Sequence, residues 1–279
     1  MNVLGIWDGH DSGAALLQDG RLRFAVNEER LTRRKLEVRF PERSIEACLA
    51  HAGCAGDQVD LVAISTSDPA KTLGRWWPGS KERYYAVRRR QTRSGPLSGL
   101  TRALKYRITE WPPGPGFHAL SRFALRKALG RHGLSHAHLR LVDHHEAHAA
   151  AAAWAAGFAP CAVLTIDGVG DGLSSTISAF RDGRLQRLAA SPARRSLGVF
   201  FEHVTHLLNM RELEDEGKVM ALATTRRRLP TPTTRCCRGL AYVTVSSTPG
   251  IPGIVCTARW RACTGSTQTN SSPTWRNGW

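Results

Sequence analysis

No aspartate or glutamate follows Glu216, although the chain runs on to Trp279. All 23 acidic residues therefore lie in the front part, while basic residues continue unopposed from Arg226-Arg227-Arg228. The formal net charge of +16 comes from an uneven chain, which weakens its usual reading as a signature of nucleic acid, anionic membrane or phosphorylated substrate. There is no CxxC pair, and the front part holds only the widely spaced Cys48, Cys54 and Cys161. That usage predicts reduced thiols rather than a disulfide framework. The other four cysteines (Cys236, Cys237, Cys256, Cys263) sit in the acid-free tail. No run of about 18 apolar residues occurs, so no spanning helix is expected. The opening MNVLGIWDGH lacks a basic segment followed by an apolar one, so no signal peptide is expected either. The expected location is the cytoplasm.

What is present reads as an ordinary globular front part. A length of 279 residues predicts about two domains or one large α/β domain. Residues 2–7 form a short apolar strand ending in Asp8-Gly9, and residues 14–18 and 21–26 form two more around an Asp19-Gly20 type I′ turn. Pro41-Glu42-Arg43 opens a helix to about Ala52, and residues 60–65 form a strand. The charged stretch from Glu28 to Lys35 is expected to run over a surface or a site edge. After a less legible region at 70–130, which carries the basic run Arg83 to Arg93 and a helix over 119–130, residues 139–142 form a strand leading into Asp143-His144-His145-Glu146-Ala147-His148. An alanine-rich helix follows, to about Ala156. Residues 161–166, 173–180 and 184–188 then repeat the opening pattern of strand, Asp-Gly, small-residue loop, strand, Asp-Gly-Arg, strand. Two such meanders, each opening an α/β half, predict a duplicated domain with a cleft between halves. Helices over 197–209 and 214–223 come next, and from Thr224 no helical or strand periodicity remains.

Four constellations could carry chemistry. His144 and His148 are one helical turn apart on one face, a spacing that suits two ligands of a divalent ion; exposed histidines at a helix start are the plain alternative. His145 points elsewhere on that helix. Asp167-Gly168-Val169-Gly170-Asp171-Gly172 puts an acid and a glycine-rich turn after a strand, suited to a metal and to phosphate approached by backbone N–H groups, though a simple hairpin gives the same pattern. The matching loop of the first copy, Asp8-Gly9-His10-Asp11-Ser12-Gly13, offers His10 as a base for a hydroxyl, or as an exposed loop histidine. Lys35 and Lys218 are candidate anion contacts, although a lone lysine is more often a solvated charge.

The segments VLGIWDGHDSGAALLQDG, NEERLTRRK, FPERSIEACL, VDHHEAHAAAAAW, AVLTIDGVGDG and EDEGKVMALA, in that order from residue 2 to about 223, resemble the NodU/CmcH-type O-carbamoyltransferases. The resemblance implies an α/β actin-like ATPase fold with duplicated ribonuclease H-like halves, related to the tRNA threonylcarbamoyl-transferring enzymes. It implies that ATP and carbamoyl phosphate give carbamoyl-adenylate in a C-terminal YrdC-like domain. The N-terminal domain then moves the carbamoyl group to a hydroxyl of a small natural product, with bound iron or a similar metal polarising the adenylate phosphate as AMP leaves. By resemblance, His144, His148 and Asp167 are metal ligands and His10 is the base. Lys35, Gly168, Gly170 and Lys218 fall at substrate or nucleotide contacts.

The resemblance also implies a proline-glycine turn, further helices, a second nucleotide loop and another metal-binding aspartate after EGKVMALA, and none is readable here. Residues 1–223 are therefore expected to be the carbamoyltransferase N-terminal domain, its second half truncated. Residues 224–279 are expected to be a non-family tail, disordered or frame-shifted. Two other readings stay open: a tRNA-modifying relative, supported by the basic balance and Arg83 to Arg93, and an inactive remnant. Nucleic acid is not the expected partner. The acceptor and the oligomeric state are not legible.

Overall fold

The structure, a computed structural model, describes residues 1–93, 95, 98–225, 242–246 and 255–259. The chain forms two compact units, Met1–Met220 and Ala221–Trp279. In the second unit a two-stranded antiparallel sheet pairs Tyr242–Ser246 with Val255–Arg259. The expectation of a disordered or frame-shifted tail otherwise falls on residues outside those described.

In the first unit, β1 (Asn2–Trp7), β2 (Gly13–Gln18) and β3 (Arg21–Asn27) form an antiparallel meander. Two more strands, β4 (Leu61–Ser65) and β5 (His138–Val142), add in parallel on the free side of β1, giving the order β3-β2-β1-β4-β5. This is a ribonuclease H-like half. A second meander follows, with β6 (Cys161–Gly170), β7 (Leu173–Arg181) and β8 (Arg184–Pro192) in that order. The repeat read in the sequence is thus an α/β duplication of the actin-like kind, its second copy showing three strands among the described residues. Asp19 and Gly20 have φ of 49° and 76°, and Asp182 and Gly183 have 49° and 69°, the positive pair that a type I′ turn requires.

The principal core lies on one face of the five-stranded sheet. Leu4, Ile6, Ala14, Leu16, Val62, Ile64 and Leu139 alternate onto that face and are almost wholly buried. They pack against Ile45, Cys48 and Leu49 of α2 (Glu42–His51) and Leu125 and Leu129 of α6 (Pro115–Gly130). Burial pushes the free thiol of Cys48 up to about 11, so it serves as an inert small hydrophobe. No helix of the described residues is long and apolar enough to cross a membrane.

Between β3 and α2 lies a short helix, α1 (Glu28–Thr32), where the sequence predicts a charged surface stretch. Glu28 is instead buried, and the reason is a hydrogen-bonding debt. The helix α2 begins after Pro41, which offers no side-chain cap. Its orphan N–H groups at Arg43 and Ser44 donate to the Glu28 carboxylate at 3.1 and 2.7 Å, and the Ser44 hydroxyl donates at 2.6 Å. The two motif segments around Glu28 and Pro41 therefore form one unit. Glu28→Ala should lower the unfolding free energy by about 2–4 kcal/mol in urea titration, because it strands buried donors that now face a carboxylate.

The described residues between Pro69 and Gly130 form four helices, α3 (Pro69–Trp76), α4 (Pro78–Arg88), α5 (Ser98–Thr109) and α6. The basic run is not one solvated stripe. Arg88 pairs with Glu202 at 2.5 Å and Glu212 at 2.7 Å, and Arg89 is only 4% exposed. Part of the basic character that supported a nucleic-acid reading is thus neutralised inside the fold.

Candidate functional site

The site is assembled at the strand ends. After β5, Asp143 caps α7 (His144–Ala155) by accepting from the Glu146 N–H at 2.9 Å, which puts His144 in the helix's first turn and His148 one turn on. Asp167 comes from β6. The His144 and His148 Nε2 atoms lie 3.2 Å apart, and Asp167 Oδ2 is 2.6 Å from the first and 3.5 Å from the second. The three expected ligands are therefore brought together, with one donor atom of each within 4.8 Å of the others.

The cluster fits a divalent ion. Ligands about 2.1 Å from a common centre stand roughly 3.0–3.4 Å apart in octahedral or tetrahedral arrangement, and these three separations bracket that range. Two imidazoles and a carboxylate form a borderline donor set suited to iron, manganese or zinc. Thr66 Oγ1 lies 3.1 Å from His144 Nδ1, and a hydroxyl there can donate while Nε2–H faces Asp167 or accept when Nε2 binds an ion. His145 turns the other way, with its Nδ1 2.8 Å from the Thr165 hydroxyl.

Burial would raise the Asp167 carboxyl, but hydrogen bonds from His144 and His148 outweigh it and hold the group far below the usual carboxylate range. The same contact to Asp167 raises His148.

The glycine-rich segment does not have its expected shape. Instead of turning at Asp167-Gly168, β6 continues to Gly170 with a register irregularity after Ile166, and the turn falls at Asp171-Gly172, with φ of 50° and 82°. Gly168 lines the cavity beside the cluster, its N–H donating to Asp167 Oδ1 at 2.6 Å. Gly170 is buried against His144; a Cβ there would stand 2.1 Å from His144 Cδ2. Gly170→Ala should therefore displace the imidazole and weaken divalent-ion binding tenfold or more, read by metal titration, while circular dichroism stays that of the parent. Gly198 likewise admits the close approach of α8 (Leu197–Leu207), since its Cβ would meet Gly168 backbone at 2.8 Å.

Asp171 is a residue that sequence reasoning passed over. Its carboxylate accepts the backbone N–H groups of Ser67 and Asp68, each at 3.1 Å, and of His144 at 2.8 Å, which ties the loop after β4 to the start of α7. Burial nonetheless raises its carboxyl.

A cavity of about 1230 Å³ opens beside the cluster, and His10, His144, Asp167 and Gly168 all line it. His10 is half-exposed, with its Nδ1 3.2 Å from Asp11 Oδ2, so a carboxylate orients the ring. Trp7 stands near both histidines, its ring 6.1 Å from that of His10 and 5.5 Å from that of His144. Two expected contacts lie elsewhere. Lys35 is exposed at a second, smaller cavity near Glu37 and Arg89, and Lys218 is 71% exposed and pairs with Asp215 at 2.6 Å.

The remaining wall comes from the helices that were illegible in the sequence. Asp8 is 2% exposed and accepts from Arg75 Nε and Nη2 at 2.8 and 3.1 Å. Lys71 pairs with the same carboxylate at 3.0 Å and lies 4.0 Å over the Trp7 ring; Lys81 donates to the Asp8 carbonyl at 2.7 Å. Burial lowers Lys71 to about 7, Asp8 opposing the shift and Lys81 and Arg75 reinforcing it. Lys71 and Arg75 are spaced i, i+4 on α3, a signal present in the sequence but uninterpretable without its buried partner.

The chain matches the family described as "Carbamoyltransferase N-terminus" over residues 2–228. It is 30% identical over 218 residues to an uncharacterized protein of Synechocystis sp., which covers 77% of this chain and 33% of that protein. It is 29% identical over 217 residues to the nodulation protein NolNO of Sinorhizobium fredii, covering 77% of this chain and 27% of that one. The solved structure of YeaZ from Pseudomonas aeruginosa is 15% identical with a TM-score of 0.36, over 68% of this chain and 66% of that chain. The chain spans about a third of the length of the curated relatives it matches.

Proposed function

Given that this chain belongs to the carbamoyltransferase N-terminal family, we propose that its cavity transfers a carbamoyl group from carbamoyl-adenylate to a hydroxyl of a small natural product. The observation that carries this is that one cavity is lined by His144 and Asp167 of a three-donor cluster and by His10, which an independent aspartate orients. In the proposed step the acceptor oxygen bonds to the carbamoyl carbon as the bond from that carbon to the phosphate oxygen breaks. The hydroxyl proton goes to His10, and AMP departs with the bonding electrons. Asp11 holds the His10 ring in place.

His144, His148 and Asp167 would hold a divalent ion, iron being our choice, which when bound would neutralise charge on the departing phosphate. We keep Gly168 as a nucleotide contact because it lines the same cavity. We keep Lys35 and Lys218 as nucleotide contacts only by family resemblance, since both stand apart from the cavity. We likewise keep the domain boundary at residue 223 with an out-of-frame tail after it, which reading the other frames of the gene would test. ATP and carbamoyl phosphate enter this reading only as the source of the donor.

The test supplies carbamoyl-adenylate directly, with a panel of hydroxylated metabolites, and follows carbamate ester by mass spectrometry. Acceptor-dependent product, lost in His10→Ala with donor binding retained, is the expected result. Failure of the chain to bind carbamoyl-adenylate at all would overturn the proposal.

A further inference from the structure

Of the partly buried lysines and arginines that line the cavity, Arg88, Lys71 and Lys81 have an acidic or carbonyl partner and Lys105 does not. Arg88 has Glu202 and Glu212, Lys71 has Asp8, and Lys81 has the Asp8 carbonyl. Lys105 of α5 has no carboxylate within 4 Å among the described residues. Its ammonium lies 3.4 Å from the Tyr84 ring centroid and 4.8 Å from that of Tyr85. Both rings line the cavity beside it. Tyr85 also lies 6.1 Å from the His10 ring, and Lys105 lines the same cavity as His10.

A cation taken from water without a counter-charge is costly, and ring faces return only part of that cost. Burial lowers Lys105 to about 7, with repulsion from Arg88 adding to it and Asp68 opposing it. A site that keeps such a group is short of one negative charge, and the cavity gives that charge a place to arrive. We propose that Lys105, framed by Tyr84 and Tyr85, is an oxyanion subsite that binds a phosphate ester or carboxylate on a ligand held in the cavity.

This goes beyond carbamoyl transfer and does not depend on it, because it is tested by binding alone. Inorganic phosphate serves as the probe, with chelator present so that no metal-bound phosphate contributes. Calorimetry should show phosphate binding to the full chain at least tenfold more tightly than to Lys105→Met, with Lys105→Arg restoring most of the difference. In phosphate-free buffer Lys105→Met should melt at or above the parent, since an unpaired charge has been removed, and only the parent should gain melting temperature when phosphate is added. Equal phosphate binding by parent and Lys105→Met would overturn the proposal. So would a Lys105→Met protein that melts well below the parent without phosphate, because the lysine would then be a structural brace for the tyrosines. Competition identifies the source of the oxyanion. Displacement of phosphate by AMP but not adenosine assigns it to the nucleotide, and simultaneous binding of phosphate and AMP assigns it to the acceptor.

Discussion

Replacing His144 and His148 together with alanine is expected to abolish stoichiometric binding of a divalent ion. The parent chain, titrated with iron(II) or zinc(II) under reducing conditions, should bind one ion per chain. Its affinity should fall on the order of a thousandfold or more in the double variant. Loss of an outer-shell partner alone typically costs 10–100-fold, and this variant removes two of three direct donors. Because His148 is half-exposed and α7 consists largely of alanine beyond it, the fold should survive, and circular dichroism will show whether it does. His145→Ala is the control, since that ring is bonded to Thr165 away from the cluster; it should leave ion affinity within about threefold of the parent. A parent that binds no ion would mean the cluster is a hydrogen-bonded triad only. Equal binding by the double variant would place the ion elsewhere.

Asp8→Ala should produce the largest loss of stability of any single substitution among the charged groups beside the cavity. One carboxylate answers Arg75 and Lys71, whose side chains are 5% and 10% exposed; its removal strands the Arg75 guanidinium and drives Lys71, already lowered by burial, toward its neutral form. Breaking such a set by deleting one partner costs about 3–5 kcal/mol, or roughly 6–20 °C of melting temperature for a unit of this size. A loss below about 1 kcal/mol, the range of exposed pairs, would show that water or a rearranged partner replaces the carboxylate. Adding Lys71→Met to the Asp8→Ala background should recover part of the loss by replacing a buried amine that has lost its partner.

The pH dependence follows with a definite sign. Burial alone would raise Asp8, but Arg75 and Lys71 outweigh it and hold the carboxyl far below its ordinary range. Its contribution is therefore fully present above that ordinary range and is lost as pH falls through the depressed folded value. The acid limb of the stability curve should be shallower in Asp8→Asn than in the parent.

Much of this architecture is local and was readable in the chain. Asp19-Gly20 and Asp182-Gly183 dictate their turns because few residue pairs tolerate two successive positive φ values, and strand alternation then places Leu4, Ile6 and Leu16 on one face. His144 and His148 share a face because any helix puts i and i+4 together. The order of the motifs identified the family. What the chain did not disclose depends on partners distant in sequence. Glu28 looks like surface charge until Arg43 and Ser44 bring it their N–H groups. Arg88 and Arg89 read as a basic stripe until Glu202 and Glu212 arrive from more than a hundred residues away to pair with Arg88. Asp8 and Asp171 look like turn residues, yet one balances a cationic wall and the other ties β4 to α7. By itself the sequence determined the two hairpins, several helices, the family and the shared face of His144 and His148, since turn chemistry, helical spacing and motif order are all written along the chain. Only the tertiary structure decided which charges are paired across the fold and which one, Lys105, faces tyrosine rings in place of a carboxylate. Desolvation and ion pairing depend on distances across the fold that no local pattern encodes.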